Sequence, residues 1–225
     1  MTVVFDMDGV IFDSERLYID CWKPVADRHG IPDIEETLYR CLGVNSRETH
    51  EIFIARYGEK FPYDEYLREA SAIFHERSDN GRMPQKPWAK DILSWLKEMK
   101  IKVALASSTK RESVVRELTE GGLIDYFDVL VCGDMVSKSK PDPEIFLKAC
   151  EELRVKPEFT YAIEDSFNGI RSAHSAGMMP IMVPDIKQPD DEIRGMCTAV
   201  CTSLKEVMEL FKMLLFDCEC RLDRQ

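Results

Sequence analysis

Apolar side chains in this chain recur with two distinct periods. The first is the unbroken run Val3-Val4-Phe5, which stops at two carboxylates, Asp6 and Asp8, with Gly9 directly behind them. A continuous β-branched and aromatic run closed by a turn signal predicts a strand buried on both faces, as in a parallel sheet. Beyond Ser14 the spacing becomes helical, with Leu17, Trp22, Val25 and Ala26 on one face as far as His29-Gly30, where glycine supplies a stop. Helical periods continue over 34–40, 47–57 and 63–79, with breaks at 43–45 and 58–62, and no strand pattern intervenes between 15 and 82. That stretch is expected to form a separate all-helical unit inserted straight after the first strand.

From residue 83 the two periods alternate. Helical patterns at 88–99, 111–120, 143–153, 168–176 and 204–214 are interleaved with apolar strand patterns at 102–106, 127–131, 159–163, 180–183 and near 198–201. Such alternation specifies an α/β fold, a Rossmann-like parallel sheet joined by right-handed crossovers. The expected organisation is a catalytic core of 1–14 and 83–225 carrying a helical cap domain of 15–82.

A chain of 225 residues is long enough for such a core and a smaller partner. Its formal charge of −11 argues against nucleic acid as a partner, because phosphate-backbone binding needs a basic face. It does not exclude a small phosphorylated metabolite, since a metal and local cations can invert the field inside a site. The strand pattern begins by residue 2 and no apolar run reaches spanning length, so the expectation is a cytoplasmic protein without a membrane partner, a monomer in the simplest case. Its 8 cysteines include no C-x-x-C pair and are read as free thiols, with Cys218 and Cys220 as an adventitious metal pair at most. His29, His50, His75 and His174 lack metal-ligand spacing.

Candidate chemistry gathers where strands end. Asp6 and Asp8 sit at a strand's carboxyl end, the place where open α/β sheets bind ligands, and two anions so close call for a hard divalent cation with oxygen ligands. Taken alone, the pair reads equally as a solvated acidic turn. The strand at 102–106 runs into Ser107-Ser108-Thr109-Lys110, hydroxyls and backbone N–H groups ahead of a helix, either an anion site or an ordinary cap. Lys140, stiffened by Pro141 and Pro143, precedes another helix; by itself it reads as a surface charge. Glu164 and Asp165 close a buried strand and offer further oxygen ligands, although Asp165 is also a plausible helix cap.

Together, Asp6-Met7-Asp8-Gly9, Ser107, Lys140 with Pro141 and Pro143, and Glu164-Asp165-Ser166-x-x-Gly169 follow the order and spacing of the motifs of the haloacid dehalogenase superfamily. The chain resembles its β-phosphoglucomutase-like phosphatase branch over nearly its whole length. The resemblance implies a Mg²⁺-dependent phosphatase of a small phosphorylated metabolite, a sugar phosphate by first expectation, working through an aspartyl-phosphate. It makes Asp6 the nucleophile and Asp8 the general acid and base. Mg²⁺ would be held by Asp6, Asp8 through its carbonyl, and Asp165, with Glu164 behind them. Ser107 and Ser108 would hold phosphoryl oxygens and Lys140 would balance charge. The rival within the family is a β-phosphoglucomutase; a catalytically silent binding module and a dinucleotide-binding oxidoreductase are disfavoured, the latter because no G-x-G-x-x-G follows the first strand.

The cap departs from the mutase pattern. Tyr18 stands where that resemblance implies a histidine, and Leu42-Gly43 where it implies a lysine, while Ser46-Arg47 is retained. Arg47 is a candidate for gripping a second phosphate or a sugar hydroxyl, or else a solvated helix-start arginine. Trp88 occupies a position beside the cap hinge where relatives carry glycine. The cap is expected to pivot as a lid about linkers near Ser14 and Arg82.

Overall fold

A computed structural model describes residues 1–42 and 46–222, with side chains as far as 216. Strands β1 (Thr2–Phe5), β2 (Lys102–Ser107), β3 (Val129–Cys132), β4 (Thr160–Glu164), β5 (Met179–Met182) and β6 (Ala199–Val200) form one sheet in the order β3-β2-β1-β4-β5-β6. All the neighbouring pairs run parallel. Side-chain alternation divides the sheet's apolar residues between two cores. Val3, Phe5, Val103, Leu105 and Ile163 face one cluster, and Val4, Ala104, Ala106 and Ala162 face the other. Both faces of β1 are thus dry, so its run of apolar residues needs no polar alternation.

Helices α5 (Ala89–Glu98), α6 (Arg111–Glu120) and α10 (Leu204–Leu222) cover the first face; α7 (Glu144–Leu153) and α8 (Phe167–Ser175) cover the second. The small residues Ala104, Ala106 and Ala162 let α7 and α8 approach the sheet closely. Phe5 is fully buried, and cutting it to alanine would cost about 3–5 kcal/mol by the usual cavity effect.

Between β1 and α5 the chain makes α1 (Ser14–His29), α2 (Ile34–Cys41), α3 (Ser46–Tyr57) and α4 (Tyr63–Ser78). These four pack around their own apolar cluster, centred on the fully buried Trp22 and Phe53. Gly30 ends α1 with φ 63°, the left-handed value that favours glycine.

Several expectations shift in detail. A short helix, α9 (Asp191–Met196), stands where no helix is expected, and α10 runs on beyond residue 214, where the expected helical pattern ends. The side chains of Cys218 and Cys220 lie outside the described residues; the six described cysteines are free. Trp88 precedes α5 with φ 70°, the same left-handed region, and its ring lies 5.0 Å from the Lys205 ammonium. Glycine fits that backbone more easily than tryptophan does. Among the described residues, no helix is long and apolar enough to cross a membrane.

Candidate active site

In the order β3-β2-β1-β4-β5-β6 the chain leaves β1 in both directions, so the crevice at the carboxyl ends of β1, β2 and β4 is the switch point of the sheet. Asp6 continues β1 and its N–H donates to the Ile163 carbonyl at 2.9 Å, which sets it beside the end of β4. Glu164 ends β4 and Ser107 ends β2. The three are buried, Glu164 and Ser107 completely.

Lys140 joins them. Its ammonium donates to Asp6 Oδ1 at 2.6 Å, to Glu164 Oε1 at 2.7 Å and to the Ala106 carbonyl at 3.0 Å. This lysine is no surface charge, since its side chain is only 8% exposed. Burial disfavours its charge, but the Asp6 and Glu164 carboxylates outweigh that and hold it above the ordinary lysine range. Asp6 is raised well above the usual carboxylate range, chiefly by burial; Glu164 and Asp8 add to the rise and Lys140 opposes it.

Glu164 organises the following loop. Its Oε2 accepts from the N–H groups of Asp165 and Ser166, both at 3.1 Å, and from Ser166 Oγ at 3.0 Å. Ser166, rather than Asp165, caps α8, its hydroxyl accepting from Gly169 N at 3.0 Å. Asp165 instead turns towards β1, and its carboxyl group is raised well above the usual range by burial first and then by Glu15 and Glu164. A Cβ on Gly9, whose φ is 76°, would sit 2.3 Å from Asp165 Oδ2, so only glycine admits the carboxylate there.

Asp8 is held differently. Ser14 Oγ donates to its Oδ1 at 2.7 Å and Thr109 Oγ1 to its Oδ2 at 3.0 Å, while Ser107 Oγ accepts from Thr109 N at 3.1 Å. Asp6, Asp8, Ser108, Lys140 and Asp165 line a common cavity of about 300 Å³, which Glu15 and Ser46 also reach.

Oxygens of Asp6, Glu164 and Asp165 lie within 4.8 Å of one another. An all-carboxylate donor set crowded against its own repulsion fits a hard cation, and the cluster can hold a metal ion. A second group, Glu15, Asp165 and Asp185, meets the same spacing. Burial and the Asp185 and Asp8 carboxylates push Glu15 up to about 8.

The structure therefore gathers Asp6, Asp8, Ser107, Ser108, Lys140, Glu164 and Asp165 at one place. Arg47 does not join them: its side chain is 89% exposed and pairs with Glu51, one helical turn on, at 3.0 Å. Tyr18 lines the adjoining cap cavity with Leu42, whereas Gly43 lies outside the described residues. None of the histidines enters the carboxylate cluster; His29 pairs with Glu69 at 2.9 Å and stacks on Tyr66. Sequence reasoning assigned no role to Ser14, Glu15 or Asp185. Only position could have flagged the first two, six and seven residues after Asp8 on the opening turn of α1.

Comparison with known proteins gives the family of the chain. The family model for haloacid dehalogenase-like hydrolases matches residues 3–183. A phosphorylated carbohydrates phosphatase of Thermotoga maritima is 37% identical over 180 residues, covering 78% of this chain and 81% of its own. The β-phosphoglucomutase of Bacillus subtilis is 33% identical over 190 residues, with 80% and 82% covered. The crystal structure of CbbY from Rhodobacter sphaeroides in complex with phosphate superposes with a TM-score of 0.70 at 26% identity, covering 90% of this chain and 93% of that one.

Proposed function

This chain belongs to the haloacid dehalogenase-like hydrolase family, and from that membership we propose that it is a Mg²⁺-dependent phosphatase of a small phosphorylated metabolite, with sugar phosphates the class to test first. One observation carries the reading. Two carboxyl groups two residues apart face one cavity in unlike settings: Asp6 lies against the buried Lys140 ammonium, while Asp8 is steered by two hydroxyls. A nucleophile and a proton carrier have those separate needs.

Asp6 attacks phosphorus, and the bond from phosphorus to the ester oxygen breaks as the aspartyl-phosphate forms. Asp8 gives its proton to the departing alkoxide. Water then attacks the phosphoryl group, Asp8 takes the water's proton, and free phosphate leaves with Asp6 restored. Ser14 and Thr109 keep the Asp8 carboxyl aimed through both steps. Lys140 offsets the negative charge on Asp6 and on the transferring group, and Ser107 and Ser108, with the N–H groups of that loop, hold the phosphoryl oxygens. Asp6, Asp165 and the Asp8 carbonyl would hold Mg²⁺, with Glu164 fixing the loop that carries Asp165. When bound, the cation neutralises charge that would otherwise repel an anionic substrate.

The test is phosphate release from a panel of sugar phosphates and nucleotides, with Mg²⁺ and with chelator. Hydrolysis dependent on Mg²⁺, and lost in Asp165→Ala, is the expected result. Full activity in chelator would overturn the metal assignment, and no release from any ester would overturn the phosphatase reading.

A further inference from the structure

The cavity that holds the candidate catalytic groups has a second chamber. Asp8, Glu15 and Ser46 line both the 300 Å³ phosphoryl cavity and a chamber of about 350 Å³ reaching up between the cap helices. Because Asp8 stands at the junction, an alkoxide protonated there departs into that chamber. Its walls are not those of a purely polar sugar site. Tyr18, Tyr63 and Phe74 contribute aromatic rings, and Leu38, Leu42 and Leu67 contribute aliphatic surface. Tyr18 packs edge-on against Phe74 at 6.5 Å between ring centroids, which fixes both rings as wall rather than as loose side chains. Among the described residues, the polar groups besides Asp8 and the two tyrosine hydroxyls are those of Ser14, Glu15, Cys41, Ser46 and Thr49.

Asp8 also borders a third opening, of about 240 Å³, between α4 and α6. That one shares the Tyr18 and Phe74 rings with the chamber, but its opposite side carries Ser71, Ser113, His75, Arg116 and Glu117, no leucine among the described residues lines it, and its arginine is already faced by Glu117 at 3.5 Å and Asp79 at 3.8 Å. Burying a flat apolar group is favourable in the chamber among the rings and leucines, and gains little beside these charges.

Resting on the phosphatase reading above, we infer that the preferred leaving group is a sugar carrying a flat ring with apolar faces, a nucleoside, so that the preferred substrate is a nucleoside-type 5′-monophosphate rather than a bare sugar phosphate. The ribose oxygen leaves beside Asp8, the sugar hydroxyls meet the polar groups at the junction, and the ring lies among Tyr18, Tyr63 and Phe74.

The matched pair that tests this differs only by the ring. Ribose 5-phosphate and the 5′-monophosphates of uridine and adenosine present the same ester, so the ratio of their kcat/KM values reads the chamber alone. The nucleotides should be favoured by at least about tenfold, the scale of one well-placed ring contact. Thr49→Trp, at a half-buried position on the chamber wall, should bring that ratio towards one by filling the space, and Leu67→Asn is the second variant should the first not fold. Arg116→Ala, on the charged side of the third opening, should leave the ratio where it was. Ribose 5-phosphate hydrolysed as well as the nucleotides, or better, would overturn this inference and leave the phosphatase reading standing. An unchanged ratio in a folded Thr49→Trp protein would likewise overturn it. Failure to hydrolyse any phosphate ester would remove the phosphatase reading and this inference with it.

Discussion

Asp6 and Asp8 are two residues apart and have unlike surroundings, so their substitutions should separate. Asp6→Asn keeps the size of the side chain but removes the nucleophile, and no phosphoryl adduct should be trapped on rapid quenching with labelled substrate. Asp8→Asn keeps one oxygen to accept from Ser14 or Thr109 and offers its NH2 to the oxygen of the other hydroxyl, but cannot deliver a proton; kcat should fall by about 10²–10⁴, with substrate binding kept. A covalent adduct in Asp6→Asn would place the nucleophile elsewhere. A second residue-scale prediction concerns Glu117, almost wholly buried on α6, where burial and then the charge of Asp8 outweigh Arg116 and push it from 4.5 to about 7. The folded chain binds this proton more tightly than the unfolded chain does. The contribution is therefore fully present below pH 4.5 and lost as pH rises through about 7, by roughly 3 kcal/mol. Glu117→Gln should flatten that slope; urea midpoints of the two proteins at pH 4.5, 6 and 8 check it, and parallel curves would show the charge to be solvated. The legibility of the site follows from the same contrast. Asp6, Glu164 and Asp165 stand out because charged residues close apolar runs at strand ends, whereas Lys140, by itself a surface charge in sequence, stands out only in register with them. Ser14 and Glu15 carry no such mark, since a serine and a glutamate at a helix start are ordinary there, and Thr109 is marked only as part of a hydroxyl run, not as a partner of Asp8. Arg47 looks meaningful beside Ser46, yet its side chain is exposed and paired with Glu51.

At the level of elements, the site depends on loops that come closer together than side chains normally permit. Gly9 follows β1 and Asp165 follows β4, and a methyl group on Gly9 would occupy the space of the Asp165 carboxylate. Gly9→Ala should therefore lower Mg²⁺ affinity and kcat/KM by orders of magnitude. The strained φ of 76° would add about 1–2 kcal/mol of destabilisation, visible as a lower melting temperature. Near-normal Mg²⁺ affinity in a folded Gly9→Ala protein would mean that Asp165 can move without consequence. Gly169→Ala is a sterner case, because its Cβ would lie 1.9 Å from the Glu164 carboxyl carbon, inside the α8 cap. These approaches are invisible in sequence, where a glycine after a strand reads only as a turn. The strands and long helices were legible because period and length agree; β1, β2 and β4 sit within a residue or so of their apolar runs. By contrast α9 buries just Ile193 of its six residues, too few apolar positions to show a period. The start of β3 at Val129 rather than 127 has a local cause: Asp128 donates its N–H to the Val103 carbonyl and accepts from Val103 N at 2.8 Å, so side chain and backbone together end the approach to the strand.

Across the whole molecule, both connections to the helical body run side by side. Asp13 N donates to the Pro84 carbonyl and Lys86 N to the Ile11 carbonyl, each at 2.8 Å, and Phe12 bridges Gln85 in antiparallel fashion. Beneath this ribbon the Asp185 side chain is 1% exposed and meets Lys86 at 2.8 Å and Arg16 at 3.1 Å. Removing the more buried cation should cost more: Lys86→Met by about 3 kcal/mol in urea denaturation, since Asp185 stays buried, and the half-exposed Arg16→Met by under about 1 kcal/mol. Equal losses would mean that the burial of the pair does not matter. We propose that residues 15–82 pivot as a lid about this ribbon, which decides between the two fates of an aspartyl-phosphate. A mutase must keep water out and return a bisphosphate intermediate to the same site in a reversed orientation, so its cap needs cations that hold the distal phosphate. Here Arg47 is exposed, and the Lys187 ammonium donates to the Leu42 carbonyl at 3.2 Å, a contact between core and cap that is made with backbone rather than reserved for a substrate. Water reaching Asp8 through an opening lid should then complete the reaction. Incubation with β-glucose 1-phosphate and a trace of glucose 1,6-bisphosphate should release free phosphate, at a rate the bisphosphate does not raise. Efficient conversion to glucose 6-phosphate with little free phosphate would show that the cap shields the intermediate after all, and that the enzyme is a mutase.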